Sequence, residues 1–171
     1  KMKTLKYLIE SLFIKLFFLI FKIIGYKKAS NLGASIGSIV GPLFRSKNLV
    51  KKNIQYAFPN LTDDEMQKFI KKMWTNYGRI FSEYMYIQKF RRKELEKYLN
   101  INGIKTLEKI KKDGKPVIFI SGHFNNFELM AMQLELYGIQ LAAVYRPLNN
   151  FFLNRTMENL RKNYICKNQI K

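Results

Sequence analysis

Two short apolar runs separated by a helical pattern place the strongest limit on the fold of the C-terminal part of this chain. Residues 116–121 and 139–145 are each continuously apolar. Such runs are typical of strands buried in a parallel sheet. Residues 127–137 lie between them with helical spacing, and Gly138 ends that pattern. Because helical patterns also flank the two runs, the sequence predicts an α/β layer: the first part of an open, mainly parallel sheet with flanking helices.

The N-terminal part of the chain is predicted to be helical. Gly33, Gly37 and Gly41 recur at every fourth residue, so on a helix they form one smooth face that another helix or a lipid chain could approach closely. A basic amphipathic helix is predicted at 45–58. Thr62 and Glu65 then have the spacing of a capping box, which predicts the start of a helix that continues to about residue 88.

The most apolar segment is residues 7–24, whose polar side chains fall in one narrow stripe. A helix of this kind can lie in the membrane interface or span the bilayer at a tilt. Two alternatives remain open, a helix packed on the rest of the protein and a cleaved signal peptide. We therefore expect a membrane-anchoring helix at 1–28, followed by a second domain at 29–171. Within that domain, 29–100 is helical and 101–171 is a partial α/β part.

The composition is that of a folded and strongly basic protein. Of the 171 residues, 47% are hydrophobic and the formal net charge is +19, which excludes general disorder. The charge predicts an acidic partner such as an anionic membrane or a phosphate-bearing lipid, although a biased coding composition would also produce it. No nucleic-acid-binding motif is present in the sequence, so we predict no nucleic-acid partner. With one cysteine, Cys166, the chain forms no internal disulfide.

The one histidine, His123, follows the first predicted strand, at the edge where ligands collect in open α/β sheets. Glu128 lies five residues later. If His123 lies in the strand-to-helix turn and Glu128 in the first helical turn, the carboxylate can orient the imidazole as a general base toward an attacking hydroxyl. Asn125 and Asn126 are suitable caps for that helix. The alternative for His123 is a structural role at the helix terminus.

Other chemistries have weaker support in the sequence. Ser121 is a rival nucleophile, but it is not in a nucleophile-elbow pattern. One histidine and one distant cysteine do not form a metal-binding pattern, so we predict no metal and no cofactor. Direct attack by an acceptor hydroxyl is therefore favoured over a covalent acyl-enzyme.

Four sequence blocks, taken together, resemble one enzyme family. The segment SGHFNNFE at 121–128 is similar to the HxxxxD/E block of glycerolipid acyltransferases, and in particular to the HFGNWE-type variant of the lipid A biosynthesis lauroyl/myristoyl acyltransferases. Three further blocks of that family have similar segments here, in the same order. They are the basic segment 45–59, the helical segment 61–83 and the segment VYRPLNN at 144–150, with Arg161 downstream.

The resemblance implies transfer of a fatty acyl group from acyl carrier protein to a hydroxyl of a phosphorylated glycolipid acceptor, at the cytoplasmic side of the bacterial inner membrane. It implies that His123 is the general base and that Glu128 is its partner. It also implies a role in binding substrate for four residues, Asn126, Arg146, Asn149 and Arg161. Arginine suits phosphate oxygens because its guanidinium forms paired hydrogen bonds.

The chain departs from the family pattern at two positions, Asn125 where glycine is usual and Phe127 where tryptophan is usual. Family members also continue well past the block that contains Arg161, so the resemblance implies that a C-terminal portion of the domain is missing. This leaves a second hypothesis from another class, a non-catalytic membrane-bound fragment or scaffold without turnover.

Overall fold

A computed structural model describes residues 2–171, which form eight α-helices and two short strands joined by turns. The chain divides into two compact units, one containing Phe18–Met85 and the other containing the chain up to Phe17 together with Tyr86–Lys171. The helices are α1 (Met2–Ile24), α2 (Tyr26–Val40), α3 (Lys47–Ala57), α4 (Asp63–Glu83), α5 (Ile87–Arg91), α6 (Ile104–Asp113), α7 (Glu128–Leu136) and α8 (Phe151–Tyr164). The strands are β1 (Ala142–Val144) and β2 (Asn168–Ile170).

The predicted glycine face is the contact between α2 and α4. A Cβ added at Gly37 would lie 2.5 Å from the backbone oxygen of Trp74, and Gly78 of α4 lies directly against Gly33 and Gly37. The ring of Trp74 covers Gly41, which lies in a 3-10 turn just after α2. The prediction of a close approach is thus confirmed, and the partner is a helix of the same chain.

Polar contacts run beside this glycine face. Arg79 on α4 donates from Nη1 to the side-chain oxygens of Ser30, at 3.2 Å, and Asn31, at 2.9 Å. The buried Ser30 hydroxyl in turn donates to Glu83, at 3.0 Å. Together they fix the register in which the two helices pack.

The start of α4 is the predicted capping box. Thr62 Oγ1 accepts from the Glu65 backbone N–H at 3.3 Å, and the Glu65 carboxylate accepts from the Thr62 backbone N–H at 2.9 Å. The latter bond lowers the pKa of Glu65 below its usual value. The helix ends at Glu83, five residues before the predicted end, and a 3-10 turn leads into α5.

The apolar N-terminal segment is helical, as predicted, and its burial is uneven. Phe18 and Phe21 are buried, and both contact the ring of Phe81, with centroids 5.0 and 6.3 Å away. Many of the other large apolar side chains are exposed, including Leu12 at 58% and Phe13 at 60%. Within residues 2–171, no helix combines the length and apolar character that crossing a bilayer requires.

The sheet is smaller than predicted and uses a different pair of strands. β1 lies within the predicted run 139–145 and pairs in parallel with β2, with Ala143 opposite Gln169. The predicted strand at 116–121 was wrong, because these residues form neither strand nor helix and Ile118 and Ile120 are 88% and 93% exposed. A strand needs a neighbour for its N–H and C=O groups, and within residues 2–171 no strand pairs with this segment.

Candidate active site

His123 lies in the irregular segment that leads from α6 to α7. Its side chain is exposed, and its imidazole lies edge-on against the ring of Phe127, with centroids 4.4 Å apart and an interplanar angle of 79°. The backbone of Asn125 has φ 48°, a left-handed conformation that turns the chain into the helix. A Cβ at Gly122 would lie 2.6 Å from the ring of Phe124, so a larger residue there would displace that exposed ring. The turn therefore presents the imidazole to solvent.

The predicted side-chain capping of α7 was wrong. Phe127 occupies the N-cap position and makes no side-chain cap hydrogen bond. Asn125 and Asn126 contribute through their backbone oxygens instead, which accept from Phe127 N at 3.1 Å and Leu129 N at 3.1 Å. The left-handed φ of Asn125 closes a tight turn through the backbone, so the helix begins without a side-chain cap.

Glu128 is the first residue of α7, and its carboxylate is buried with only 6% of the side chain exposed. Its Oε1 accepts from both Nε, at 2.8 Å, and Nη2, at 2.5 Å, of Arg161 in the last turn of α8. A buried carboxylate needs such a partner because burial removes the hydration of its charge. The structure therefore brings together two of the predicted site residues, Glu128 and Arg161, whereas the His123 ring contacts Phe127.

A second group of side chains lies beside Arg161. Its guanidinium lies 5.9 Å from the centroid of the Tyr145 ring, within the range of a cation–π contact. The Tyr145 hydroxyl donates to Glu158, which also pairs with Lys171 at 3.1 Å and accepts from Asn154 at 3.0 Å. The hydrogen bond from Tyr145, followed by those from Lys171 and Asn154, lowers the pKa of Glu158 to about 2. Burial and Glu158 raise the pKa of Tyr145.

The remaining predicted substrate-binding residues lie in two environments. Asn126 is buried beside the turn into α7, whereas Arg146 and Asn149 are exposed in the segment that joins β1 to α8. The structure therefore leaves the last two side chains accessible to a ligand.

Asn150 is a structural residue that the sequence analysis did not single out. Its Oδ1 caps α8 by accepting from Phe152 N at 3.1 Å and Leu153 N at 3.3 Å. Its Nδ2 donates to the backbone oxygen of Tyr7 in α1 at 2.9 Å. The signal for the cap was present, since asparagine is a strong N-cap residue before a helical pattern, but the bond to Tyr7 joins residues too distant in sequence to be inferred.

The side chains of Cys166 and Ser121 both donate hydrogen bonds to backbone oxygens. Burial raises the pKa of the Cys166 thiol, which donates to the backbone oxygen of Leu141 at 3.0 Å, so this cysteine packs as a structural residue. The exposed hydroxyl of Ser121 donates to the backbone oxygen of Gly122 at 3.2 Å. Among the described residues, no group of three or more His, Cys, Asp or Glu side chains is placed to hold a metal ion.

Comparison with known proteins assigns the chain to a family. The sequence profile described as bacterial lipid A biosynthesis acyltransferase matches residues 1–167. The chain is 25% identical over 135 residues to the lipid A biosynthesis palmitoleoyltransferase of Escherichia coli strain K12, a match that covers 77% of this chain and 44% of that protein. A lipid A biosynthesis acyltransferase of Haemophilus influenzae is 22% identical over 135 residues, which cover 78% of this chain and 42% of that protein.

The chain thus belongs to the bacterial lipid A biosynthesis acyltransferase family, and the predicted family is confirmed. The matched region spans less than half the length of these curated relatives. No solved structure gives a significant match.

Proposed function

We propose that this chain takes part in the transfer of a fatty acyl group from an acyl-carrier-protein thioester to a hydroxyl of a phosphorylated glycolipid, a precursor of lipid A. The observation that supports this proposal is the presence of two side chains near the start of α7: an exposed imidazole, His123, and, five residues later, a buried carboxylate, Glu128, that Arg161 holds in place. A general base and a carboxylate that can orient it are the two groups that this chemistry requires. The names of the relatives, which include a palmitoleoyltransferase, support a fatty acyl substrate.

In the proposed reaction His123 removes the proton from the attacking hydroxyl. Glu128 then holds the other ring nitrogen and stabilises the imidazolium, while Arg161 keeps the carboxylate in place through the two bonds to Oε1. Since residues 114–124 form neither helix nor strand, the imidazole can turn from Phe127 toward Glu128 without unwinding a regular element. Catalytic hydrogen bonds often form only when substrate is bound.

The substrate-binding roles that we propose follow from exposure and charge. Arg146 and Asn149 are exposed and carry hydrogen-bond donors, and they suit the phosphate and hydroxyl groups of the acceptor. Asn126 is buried next to the turn that presents His123, and it shapes the floor of that turn. We assign Arg161 to holding Glu128, in place of the direct substrate contact that the family resemblance implied.

We further propose that the chain works at the cytoplasmic face of the bacterial inner membrane. Its exposed apolar side chains on α1 and its formal net charge of +19 support this location. An amphipathic helix with such a face binds at the membrane interface by burying apolar area, and basic residues add attraction to anionic lipids.

The direct test is transfer of a radiolabelled acyl group from acyl carrier protein to an acylated, phosphorylated disaccharide. Wild-type protein should give a labelled product, and His123→Ala should give none above background. Ile118→Ser is the matched control because this exposed residue lies in the same irregular segment, so its activity should equal the wild type. Equal activity of wild type and His123→Ala would overturn the proposed role of the imidazole.

The second candidate function is that of a membrane-bound fragment without turnover, favoured by the exposed apolar face of α1 and by the short span of the family match. Pelleting with anionic liposomes separates the two when it is combined with the transfer assay. Binding together with transfer supports the enzyme. Binding without transfer by well-folded wild-type protein supports the fragment and contradicts the proposed activity.

A further inference from the structure

An open apolar groove of about 580 Å³ lies within the helical unit, between α3 and α4. Its size falls in the range of roughly 300–1,000 Å³ that is usual for small-molecule sites. Most of the lining side chains are aliphatic or aromatic: Phe44, Leu49, Val50, Ile54, Ala57, Phe58, Phe69, Met73, Trp74 and Tyr77, with Arg45 and Asn53 as the two polar exceptions. Several of these apolar side chains remain exposed, Phe44 at 76% and Tyr77 at 53% among them.

The charge around the groove has one sign along α3. Arg45 is the one charged side chain among the lining residues, and the adjoining helix carries Lys47, Lys51 and Lys52 without an acidic residue. Lys51 is 3.7 Å from Asp63 at the start of α4, so that one lysine is partly neutralised. An apolar groove with a basic rim is complementary to an amphiphile whose head is an anion.

We propose that this groove binds one acyl chain of a phosphate-bearing lipid. The hydrocarbon chain lies along the aromatic and aliphatic lining, and the phosphate pairs with Arg45 at the rim. Arginine suits this role because its guanidinium forms paired hydrogen bonds with phosphate oxygens. The site lies wholly within Phe18–Met85, and binding there does not require acyl transfer by His123.

Chain length should govern the affinity at this site. Each methylene moved from water into an apolar site strengthens binding by a factor of about four. Dodecyl phosphate, with two more methylenes, should therefore bind roughly fifteenfold more tightly than decyl phosphate, while inorganic phosphate alone should not compete. A groove that recognised only the anion would bind all three with similar affinity.

Trp74 provides the measurement, since it is the one tryptophan of the chain and lines the groove. We would titrate the full chain with dodecyl phosphate carrying a terminal bromine, below its micelle-forming concentration, because bromine quenches tryptophan fluorescence only near contact. The expected result is saturable quenching with one-to-one stoichiometry, reversed by excess dodecyl phosphate. Quenching that does not saturate, or that inorganic phosphate reverses, would overturn the proposal.

Three variants test the mode of binding. Ala57→Phe adds bulk to an exposed lining position and should weaken binding of the brominated probe at least tenfold. The control is Ile39→Asn, at a residue that is 74% exposed and outside the lining, and it should not change the affinity. Arg45→Gln should weaken binding of the brominated dodecyl phosphate until it equals that of bromododecanol, which has the same chain but no phosphate. If Ala57→Phe binds like the wild type, the groove is not the site. His123→Ala should bind normally, so loss of transfer and loss of groove binding are separate outcomes.

Discussion

The Glu128 carboxylate and the Arg161 guanidinium form a buried ion pair in which a single oxygen, Oε1, accepts from both Nε at 2.8 Å and Nη2 at 2.5 Å. Their side chains are 6% and 17% exposed. The pair therefore links the first residue of α7 to the last turn of α8. Glu128 is the proposed partner of the base, His123. Because the ion pair fixes the position of the Glu128 carboxylate, it supports the geometry of the candidate site.

Removing one partner of this ion pair should destabilise the protein strongly. Arg161→Met removes the opposite charge and both hydrogen bonds that it donates to the buried Glu128 carboxylate, and breaking a buried ion pair by removing one side typically costs about 3–5 kcal/mol. Urea unfolding followed by circular dichroism measures the free energy of unfolding. The matched control is Lys68→Met, which removes an ion pair with Asp64 whose side chains are 69% and 77% exposed and should cost less than about 1 kcal/mol. Equal costs for the two variants would contradict a buried, structurally important pair.

Asn150 should contribute more to stability than its neighbour Asn149. Asn150→Ala removes both the cap of α8 and the hydrogen bond to the Tyr7 backbone. Loss of an asparagine cap costs about 1 kcal/mol by itself, and loss of the hydrogen bond to the Tyr7 oxygen adds to it. Asn149→Ala, at an exposed position, should leave the free energy of unfolding within about 0.5 kcal/mol of the wild type. The reverse order in thermal melts would show that the cap is not the stabilising contact.

The features that the sequence predicted correctly are those determined by residues close together in the chain. The capping box of Thr62 and Glu65 depends on a spacing of three residues, and α7 and α8 follow from helical periodicity. The glycine spacing in α2 predicted a close approach, although the pattern could not identify α4 as the partner, because any helix or lipid chain would meet the same smooth face.

The features that the sequence missed depend on partners distant in the chain. The apolar run at 116–121 has the composition of a strand, but a strand forms only where a neighbour takes up its N–H and C=O groups, and the one described sheet pairs β1 with β2 and does not include this run. β2 itself is three residues long and too short for an alternating pattern. The Glu128–Arg161 pair joins residues 33 positions apart, so the sequence could not show this contact, and the predicted role of Arg161 in binding substrate stays a prediction.

The close approach of α2 and α4 should make Gly37 intolerant of even a methyl group. Gly37→Ala places a Cβ 2.5 Å from the Trp74 backbone oxygen, and backbone cannot move aside as a flexible side chain does. Overpacking of this kind costs typically about 1–3 kcal/mol, which exceeds the gain of up to about 1 kcal/mol from the better helix propensity of alanine. Ser35→Ala, on the exposed side of the same helix, is the control and should be neutral or stabilising. A more stable Gly37→Ala protein in urea unfolding would contradict the packing.

The Glu158 carboxylate should make stability depend on pH in the acid range. Hydrogen bonds from Tyr145, Lys171 and Asn154 lower its pKa to about 2 in the folded protein, whereas an unfolded glutamate has a pKa of about 4.3. The ionised form is thus favoured by folding, so its contribution to stability is fully present above the unfolded value and is lost as the pH falls toward the folded value. Melting temperatures between pH 7 and pH 2 should therefore fall less steeply below pH 5 for Glu158→Gln than for the wild type. The control is Glu108→Gln, at an exposed position on α6, whose melting temperature should depend on pH as that of the wild type does. If Glu158→Gln also shows the wild-type dependence, Glu158 is not a source of the acid sensitivity.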